Sequence, residues 1–319
     1  MPMTPRVSIV TPSFNQAAYL EETIRSVLEQ DYPHLEYIII DGNSTDGSQA
    51  IIRKYAGRLA YWVSEPDSGQ SEAINKGLAR ATGDILTWLC SDDTLLPGAV
   101  TTIVKLFARH PDAGLIYGDA WNTDPAGRRL GLRRGVPFSV EAMTVDNLVP
   151  QPAGFFTRTA WERFGPLNEK LHYAMDRQLW LRMNGRIPIY YEPVVLATMR
   201  RHPAAKGEKD RIPLKLAEKA ILDAYFAEPD LPAAALAMKA TAYGRLYYYL
   251  GLFYLQNGQF AEAAAALRTS LRWQPGHRRA PVVLALWASA RLRRRGPAFV
   301  YPAVMQRLAG LKKRFGSYG

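Results

Sequence analysis

ILTWLCSDDTLLPGA, residues 85–99, changes character in its middle. Ile85 to Cys90 is an apolar run of strand type, and Ser91-Asp92-Asp93 ends it abruptly. Two adjacent carboxylates repel each other, and apolar surroundings raise the cost of keeping both charged. A pair placed where a buried strand surfaces therefore needs a stabilising partner. One candidate is a helix amino end, since LPGA at 96–99 starts a helix pattern within Thr94–Ala99. The other is a cation held by carboxylate oxygens. A helix cap explains one acid and leaves the second without a reason.

The chain before this stretch repeats one rhythm. Val7-Ser8-Ile9-Val10-Thr11 reads as a short buried strand, followed by a turn at Pro12–Gln16. An amphipathic helix then covers roughly Ala17–Gln30, with Leu20, Ile24, Val27 and Leu28 on one face. Tyr37-Ile38-Ile39-Ile40 is a second strand that ends in Asp41-Gly42. Asn43–Gly47 is turn chemistry, with Ser44 or Thr45 placed to cap a helix near Ser48. A third strand around Leu59–Val63 runs into Glu65-Pro66-Asp67-Ser68-Gly69, and a helix over Ser71–Ala81 leads to the strand at 85–90. Alternation of this kind predicts an α/β domain with a mostly parallel sheet covered by helices. Ligands of such sheets bind beyond the carboxyl ends of the strands. Thr11-Pro12-Ser13, Asp41, Asp67 and Asp92-Asp93 should then converge.

The bulk numbers agree with a folded protein: 319 residues, 48% hydrophobic and 22% charged. The single cysteine, Cys90, excludes an internal disulfide framework and a cysteine-built zinc site, and its strand setting reads as a small core residue. The net charge of +11 is unevenly spread: residues 1–262 carry 28 basic and 29 acidic side chains, and the remainder has 12 basic and no acidic ones. From about Lys215 the texture becomes helical and rich in alanine and tyrosine. The division expected is an α/β domain over 1–212 and an α-helical extension over 213–319. Within the extension, about 243–276 matches a tetratricopeptide-like hairpin through Tyr247, Leu250, Gly251, Tyr254, Ala263, Leu267 and Pro275. The tail, 277–319, mixes arginine clusters with the apolar stretches VVLALW and FVYPAVM, which suits docking on an anionic membrane surface. No recognised nucleic-acid module accompanies the charge, so no nucleic acid is expected as a partner. Apolar runs such as PVVLALWASA at 281–290 fall short of the ~20 residues of a spanning helix. The amino terminus lacks the apolar core of a signal peptide, so the expected location is cytoplasmic, peripheral at the inner face of the membrane.

SIVTPSFNQAAYLEETIRSVLEQDYPHLEYIIIDGNSTDGS (8–48) and AINKGLARATGDILTWLCSDDTLLPGA (73–99) together resemble the inverting family-2 glycosyltransferases of GT-A fold, over about residues 6–205. The resemblance implies a Rossmann-like mixed sheet flanked by helices. It puts Asp92 against the donor ribose and Asp93 on a divalent cation, Mn²⁺ or Mg²⁺. The Thr11-Pro12-Ser13 turn and Asp41 would surround the base, with Asp41 accepting from a uracil N–H, and Asp67 would lie on the donor side. HYAMDRQLWLRM at 172–183 resembles the family's acidic catalytic segment. Asp176 is then the catalytic base, where its residues alone suggest a helix cap; Trp180 and Leu181 read as packing residues. MRRHPAAKG at 199–207 resembles a segment that offers His202 to the metal or diphosphate, with Arg200, Arg201 and Lys206 near the phosphates. Gln151 and Gly154 fall in the region that lines the acceptor pocket. Asp119, at the end of a strand through Tyr117-Gly118, would touch the donor sugar. One departure is Ile74, where some members have an arginine before the residue that is Asn75 here.

The activity so implied is an inverting, metal-dependent hexosyl or N-acetylhexosaminyl transfer. The sugar moves from a nucleotide-diphosphate donor, UDP-linked, to a hydroxyl of a glycan or lipid-linked acceptor in surface polysaccharide or glycoconjugate synthesis. A nucleotidyltransferase would show a Gly-rich basic loop after the first strand, and TPSFNQAAYL is neither. A non-catalytic scaffold would have no use for Asp41, Asp92, Asp93 and Asp176 together.

Overall fold

A computed structural model describes residues 4–276 and 283–288. Among them a nine-stranded sheet is built from β1 (Val7–Ser13), β2 (Leu35–Asp41), β3 (Tyr61–Ser64), β4 (Ile85–Trp88), β5 (Thr94–Leu95), β6 (Leu115–Thr123), β7 (Arg129–Arg133), β8 (Gly154–Thr157) and β9 (Ile189–Arg200). Its order is β3-β2-β1-β4-β8-β6-β9-β5, with β7 paired to β6. The first four strands are mutually parallel. β8 runs antiparallel to both of its neighbours, and β9 runs parallel to β6. This is the mixed α/β sheet read from the sequence.

Both faces of the sheet are covered, which is why its strands are almost continuously apolar. Val7, Ile9, Tyr37, Ile39 and Ile85 pack with Leu20, Ile24 and Val27 of the helix Ala17–Leu28, and with Val100 and Ile103 of the helix Ala99–Arg109. Val10, Ile38, Ile40, Leu86 and Trp88 turn to the other face, onto Ile74 and Leu78 of the helix Gln70–Arg80 and Leu179 and Trp180 of the helix Met175–Met183. The two-residue alternation of a pleated strand sorts these sets. Strand order reverses at β1, which has β2 and β3 on one side and β4 on the other. The switch point sets the carboxyl ends of β1, β2, β3 and β4 along one edge, where such sheets bind ligands.

Three local expectations are corrected. The helix after the acidic pair starts only at Ala99, behind Gly98 and without a side-chain cap, because Thr94 and Leu95 pair with β9 instead. Neither Asp92 nor Asp93 is a helix cap. The helix Ser48–Tyr55 follows Gly47 in a left-handed conformation (φ 100°), and Asp46, not Ser44 or Thr45, takes the Ser48 N–H at 3.0 Å. The same carboxylate accepts from Ala17 N at 2.8 Å, so one side chain serves two helix starts. Asp119 is not at a strand end: β6 runs on to Thr123, and Asp119 sits at a bulge against β9.

The helices after residue 206 pack directly on the sheet domain. Ile221, Leu222 and Tyr225 of the helix Arg211–Tyr225 and Ala242, Tyr243 and Leu246 of the helix Lys239–Gln256 share an apolar cluster with Leu181. Asn184, fully buried, donates to Val140 O, Thr144 Oγ1 and Tyr225 Oη across the same junction. Lys239–Gln256 and Phe260–Trp273 form the helical hairpin read from the sequence, with Gly251 leaving room for Leu267. Positions 277–282 and 289–319, most of the basic tail, lie outside the described residues. No helix among the described residues is long and apolar enough to cross a membrane.

Gly77 is where the helix Gln70–Arg80 meets β1, and a Cβ there would lie 2.3 Å from Val10 Cγ1. Gly77→Ala should lower stability by about 1–3 kcal/mol, the overpacking cost exceeding alanine's helix preference. Denaturant unfolding followed by circular dichroism checks this; unchanged or raised stability would mean that the helix can stand away from β1.

Candidate active site

β4 delivers its carboxylates into a frame built by the end of β9. Arg200 N donates to Asp93 Oδ1 at 2.9 Å, and Arg200 Nε donates to the Asp92 carbonyl at 3.0 Å. The rest of that guanidinium donates to the Pro125 carbonyl at 2.9 Å and to Glu22 Oε2 at 2.6 Å, with the side chain only 2% exposed. Arg200 is therefore a brace for the acidic turn, and its donors go to protein and not towards phosphates. On the far side, Thr23 donates to the Asp93 carbonyl at 2.8 Å. Asp92 Oδ2 meets His202 Nε2 at 3.0 Å, and the imidazole is buried beside Tyr19.

The pair suits a hard cation. Burial and the neighbouring Asp92 push the Asp93 carboxyl well above the usual carboxylate range, partly opposed by Arg200 and Arg201. A divalent ion would remove that penalty by favouring the anion. The protein bonds just described use Asp93 Oδ1 and Asp92 Oδ2, so each carboxylate has a second oxygen to offer. Ligand atoms of Cys90, Asp92 and Asp93 lie within 4.8 Å of one another. Cys90 thus faces the acidic turn as well as the core against which it packs, which the strand pattern did not show. Its thiol is held protonated by burial and by the two aspartates, which disfavours it as a ligand beside carboxylate oxygens. Gln151 joins this end of β4, donating to the Trp88 carbonyl at 2.8 Å and accepting from Cys90 Sγ at 3.6 Å.

The expected base side lies at the ends of β1 and β2. Thr11 Oγ1 is buried 2.9 Å from Tyr37 Oη, and Pro12 is buried beside it. Ser13 Oγ is buried without a hydrogen-bond partner among the described residues. Asp41 is fully buried and accepts from Ser44 N (2.9 Å), Ser44 Oγ (2.6 Å) and Ser64 Oγ (2.6 Å). Its first task is to shape the loop after β2. Asp67 is only half-buried, comes close to Gly42, and has its carboxyl raised chiefly by burial. Lys206 donates to the His172 carbonyl at 3.2 Å, and Asp210 and Asp67 lie near enough to favour its charge against burial.

Asp176 lies in the first turn of its helix, but the N-cap is Ala174 and no side chain caps that end. Asp176 Oδ2 instead accepts from Asn147 Nδ2 at 2.8 Å. Burial raises its carboxyl above the ordinary range, while Asn147 and Arg177 act the other way. Trp180 is buried and stacked on Trp88, with 5.8 Å between centroids, as packing residues should be. Asp119 and Gly154 are structural where they stand. Asp119 Oδ1 accepts from Gly135 N (2.7 Å) and Tyr191 Oη (2.9 Å), and Gly154 is buried with its carbonyl on Thr87 Oγ1 (2.7 Å). Arg201 Nε donates to Asn122 Oδ1 at 2.9 Å, and its charge acts on both Asp93 and Arg133. Arg133, absent from the sequence reading, is a largely buried guanidinium held down by burial and Arg201 and favoured by Asp146 and Asp176. The one hint was a basic pair, Arg133-Arg134, in a region of balanced charge. Asn147 was missed as well, since a lone loop asparagine carries no pattern.

A GT-A nucleotide-sugar transferase fold accounts for this sheet and its acidic edge, and the comparisons with known proteins agree. Crystallised residues 1–349 of S. aureus TarS with UDP match at TM-score 0.59 and 17% identity, over 89% of this chain and 88% of that one. Of a longer TarS chain this protein spans 56%. Mannosyltransferase PcManGT from Pyrobaculum calidifontis, with GDP-Man and Mn²⁺, matches at 0.57 and 22% identity, over 98% and 88%. The glycosyl transferase family 2 model matches residues 8–158. A glycosyltransferase of Mycobacterium tuberculosis, itself uncharacterized, is 33% identical over 188 residues, 57% of this chain and 70% of that protein. The chain belongs to glycosyltransferase family 2.

Arg200→Lys should cost about 1–3 kcal/mol of stability, because lysine cannot satisfy the carbonyls that the guanidinium fork reaches. Thermal and denaturant unfolding check this; full stability with lost nucleotide affinity would return Arg200 to the phosphates.

Proposed function

We propose that this family-2 member is an inverting, metal-dependent hexosyl or N-acetylhexosaminyl transferase. It moves the sugar of a nucleotide-diphosphate donor to a hydroxyl of a glycan or lipid-linked acceptor, in surface polysaccharide or glycoconjugate synthesis. The observation that carries the reading is the braced Asp92-Asp93 turn, together with a separate half-buried carboxylate, Asp176, and the cationic Arg201 and Arg133 near them. UDP is the nucleotide adopted, as found with TarS; PcManGT was solved with GDP-Man, so a guanosine donor is the alternative.

In this reading Asp93 would hold a divalent cation, Mn²⁺ or Mg²⁺, with Asp92, paired to His202, meeting the ribose. When bound, the cation stabilises the negative charge that the departing diphosphate gathers. Arg201, Arg133 and Lys206 would supply further positive charge for those phosphates, and His202, whose Nε2 faces Asp92, would stand beside the cation. Thr11, Pro12, Ser13, Asp41 and Asp67 form the base pocket, and Gln151 lines the sugar or acceptor side. Asp176 takes the proton of the acceptor hydroxyl. The hydroxyl oxygen forms the new bond to the anomeric carbon from the face opposite the diphosphate. The old carbon–oxygen bond breaks, its electron pair leaves with the nucleoside diphosphate, and the configuration inverts. Docking of the basic tail on an anionic membrane surface belongs to the same proposal and rests on its charge pattern alone.

The test is turnover on a panel of UDP- and GDP-sugars with Mn²⁺, with the product's anomeric configuration read by NMR. An α-linked donor should give a β-linked product, and Asp176→Asn should lower kcat by about 10²–10⁴-fold with nucleotide affinity retained. Since burial raises the Asp176 carboxyl and the base works ionised, kcat should fall as pH drops, beginning above the ordinary carboxylate range. A retained configuration, or undiminished turnover in Asp176→Asn, would overturn the mechanism.

A further inference from the structure

Two adjacent residues between the helix Val140–Val145 and β8 are held from different sides. Asp146 forms an ion pair with Arg245 of the helix Lys239–Gln256. Asn147 gives its side-chain amide to Asp176 Oδ2 at 2.8 Å, and its carbonyl accepts from Arg133 at 3.1 Å. An ionised carboxylate can only accept, so the amide nitrogen has to be the atom that faces it. Asn147 Oδ1 is then left buried with no partner among the described residues. Leaving a buried acceptor unsatisfied is unfavourable, and an asparagine that merely filled space could avoid it by turning. Here the orientation is set by the bond to Asp176.

We propose that Asn147 is a positioning residue for the base Asp176, and that the Asp146–Arg245 pair ties this positioning to the C-terminal helices. The proposal rests on Asp176 being the base. The bond has two effects: it fixes which carboxylate oxygen remains for the acceptor hydroxyl, and it favours the ionised form in a buried setting. The other groups acting at Asp176 come from every side. Arg177 on its own helix and Arg133 on β7 favour the anion, while Glu218 on the helix Arg211–Tyr225 opposes it. Arg245 reaches Asp176 only through the Asp146-Asn147 segment. The helical extension is thereby part of the apparatus that sets the base, which explains why its core is continuous with Leu181 on the catalytic helix.

The test uses the full chain with ¹³C-carboxyl-labelled aspartate, titrated by NMR in EDTA, with the Asp176 signal identified by its loss in Asp176→Asn. Asn147→Ala should move the Asp176 midpoint to higher pH by about one unit, tenfold in proton concentration. Asn147→Asp, nearly isosteric and bearing a like charge, should move it further, and Arg245→Met should move it less, in the same direction. The acid limb of kcat should follow with UDP- or GDP-sugar and Mn²⁺, with the donor KM unchanged. An unshifted midpoint in folded Asn147→Ala and Asn147→Asp overturns the role of Asn147 and leaves the reading of Asp176 standing. A shifted midpoint with an unshifted kcat profile shows that Asp176 is not the base, and overturns both.

Discussion

Two carboxylates stand side by side at the end of β4 because the end of β9 is laid against them. Arg200 binds one through its backbone N–H and the carbonyl of the other through its side chain, across more than a hundred residues of sequence. A guanidinium this deeply buried is tolerable only when its donors are satisfied, and carbonyls of the turn and of Pro125, with Glu22, satisfy it. The rest of the site follows from that brace. It holds Asp93 in a dry position where its charge is unfavourable without a cation, and it leaves Asp92 to His202 at the rim. The strand pairing of Thr94 and Leu95 with β9 removes the helix that could otherwise have neutralised the acids.

Much of this was legible in the sequence. Apolar runs ending in Ser13, Asp41 and Asp92-Asp93 revealed a parallel sheet and its ligand edge, because chain direction forces those ends together. What stayed hidden depends on pairings far apart in the chain. Arg200 sits in a basic segment and so suggests phosphates; only the register of β9 shows that it turns inward. Asp119 reads as the end of a strand through Tyr117-Gly118, whereas the strand continues through a bulge. Ser44 has the chemistry of a cap, but Asp41 and Asn15 take its hydroxyl, and Asp46 does the capping instead. Asn147 and Arg133 become visible only when a loop and the β7 hairpin close on the helix Met175–Met183.

The helical extension also packs on the helix Met175–Met183 that carries Asp176. Met175–Met183 packs with one side on Trp88 under the sheet and with Leu181 on the later helices. Asn184, just beyond it, ties Val140, Thr144 and Tyr225 together in full burial. The far end of that helix is therefore fixed by the two halves of the chain at once. A sheet domain cut away at residue 212 would lose the cluster that Leu181 shares with Ile221, Leu222, Tyr225 and Tyr243.

The central claim is that the Asp92-Asp93 turn exists to hold a divalent cation against a nucleoside diphosphate. Calorimetric titration of the full chain with UDP and GDP, in Mn²⁺ and then in EDTA, tests it most directly when repeated on Asp93→Ala. The account predicts tight binding of one nucleotide in Mn²⁺, weakened by EDTA and reduced to the EDTA level by the substitution. Equal affinity with and without metal, or metal-dependent binding that survives Asp93→Ala in a folded protein, would contradict it.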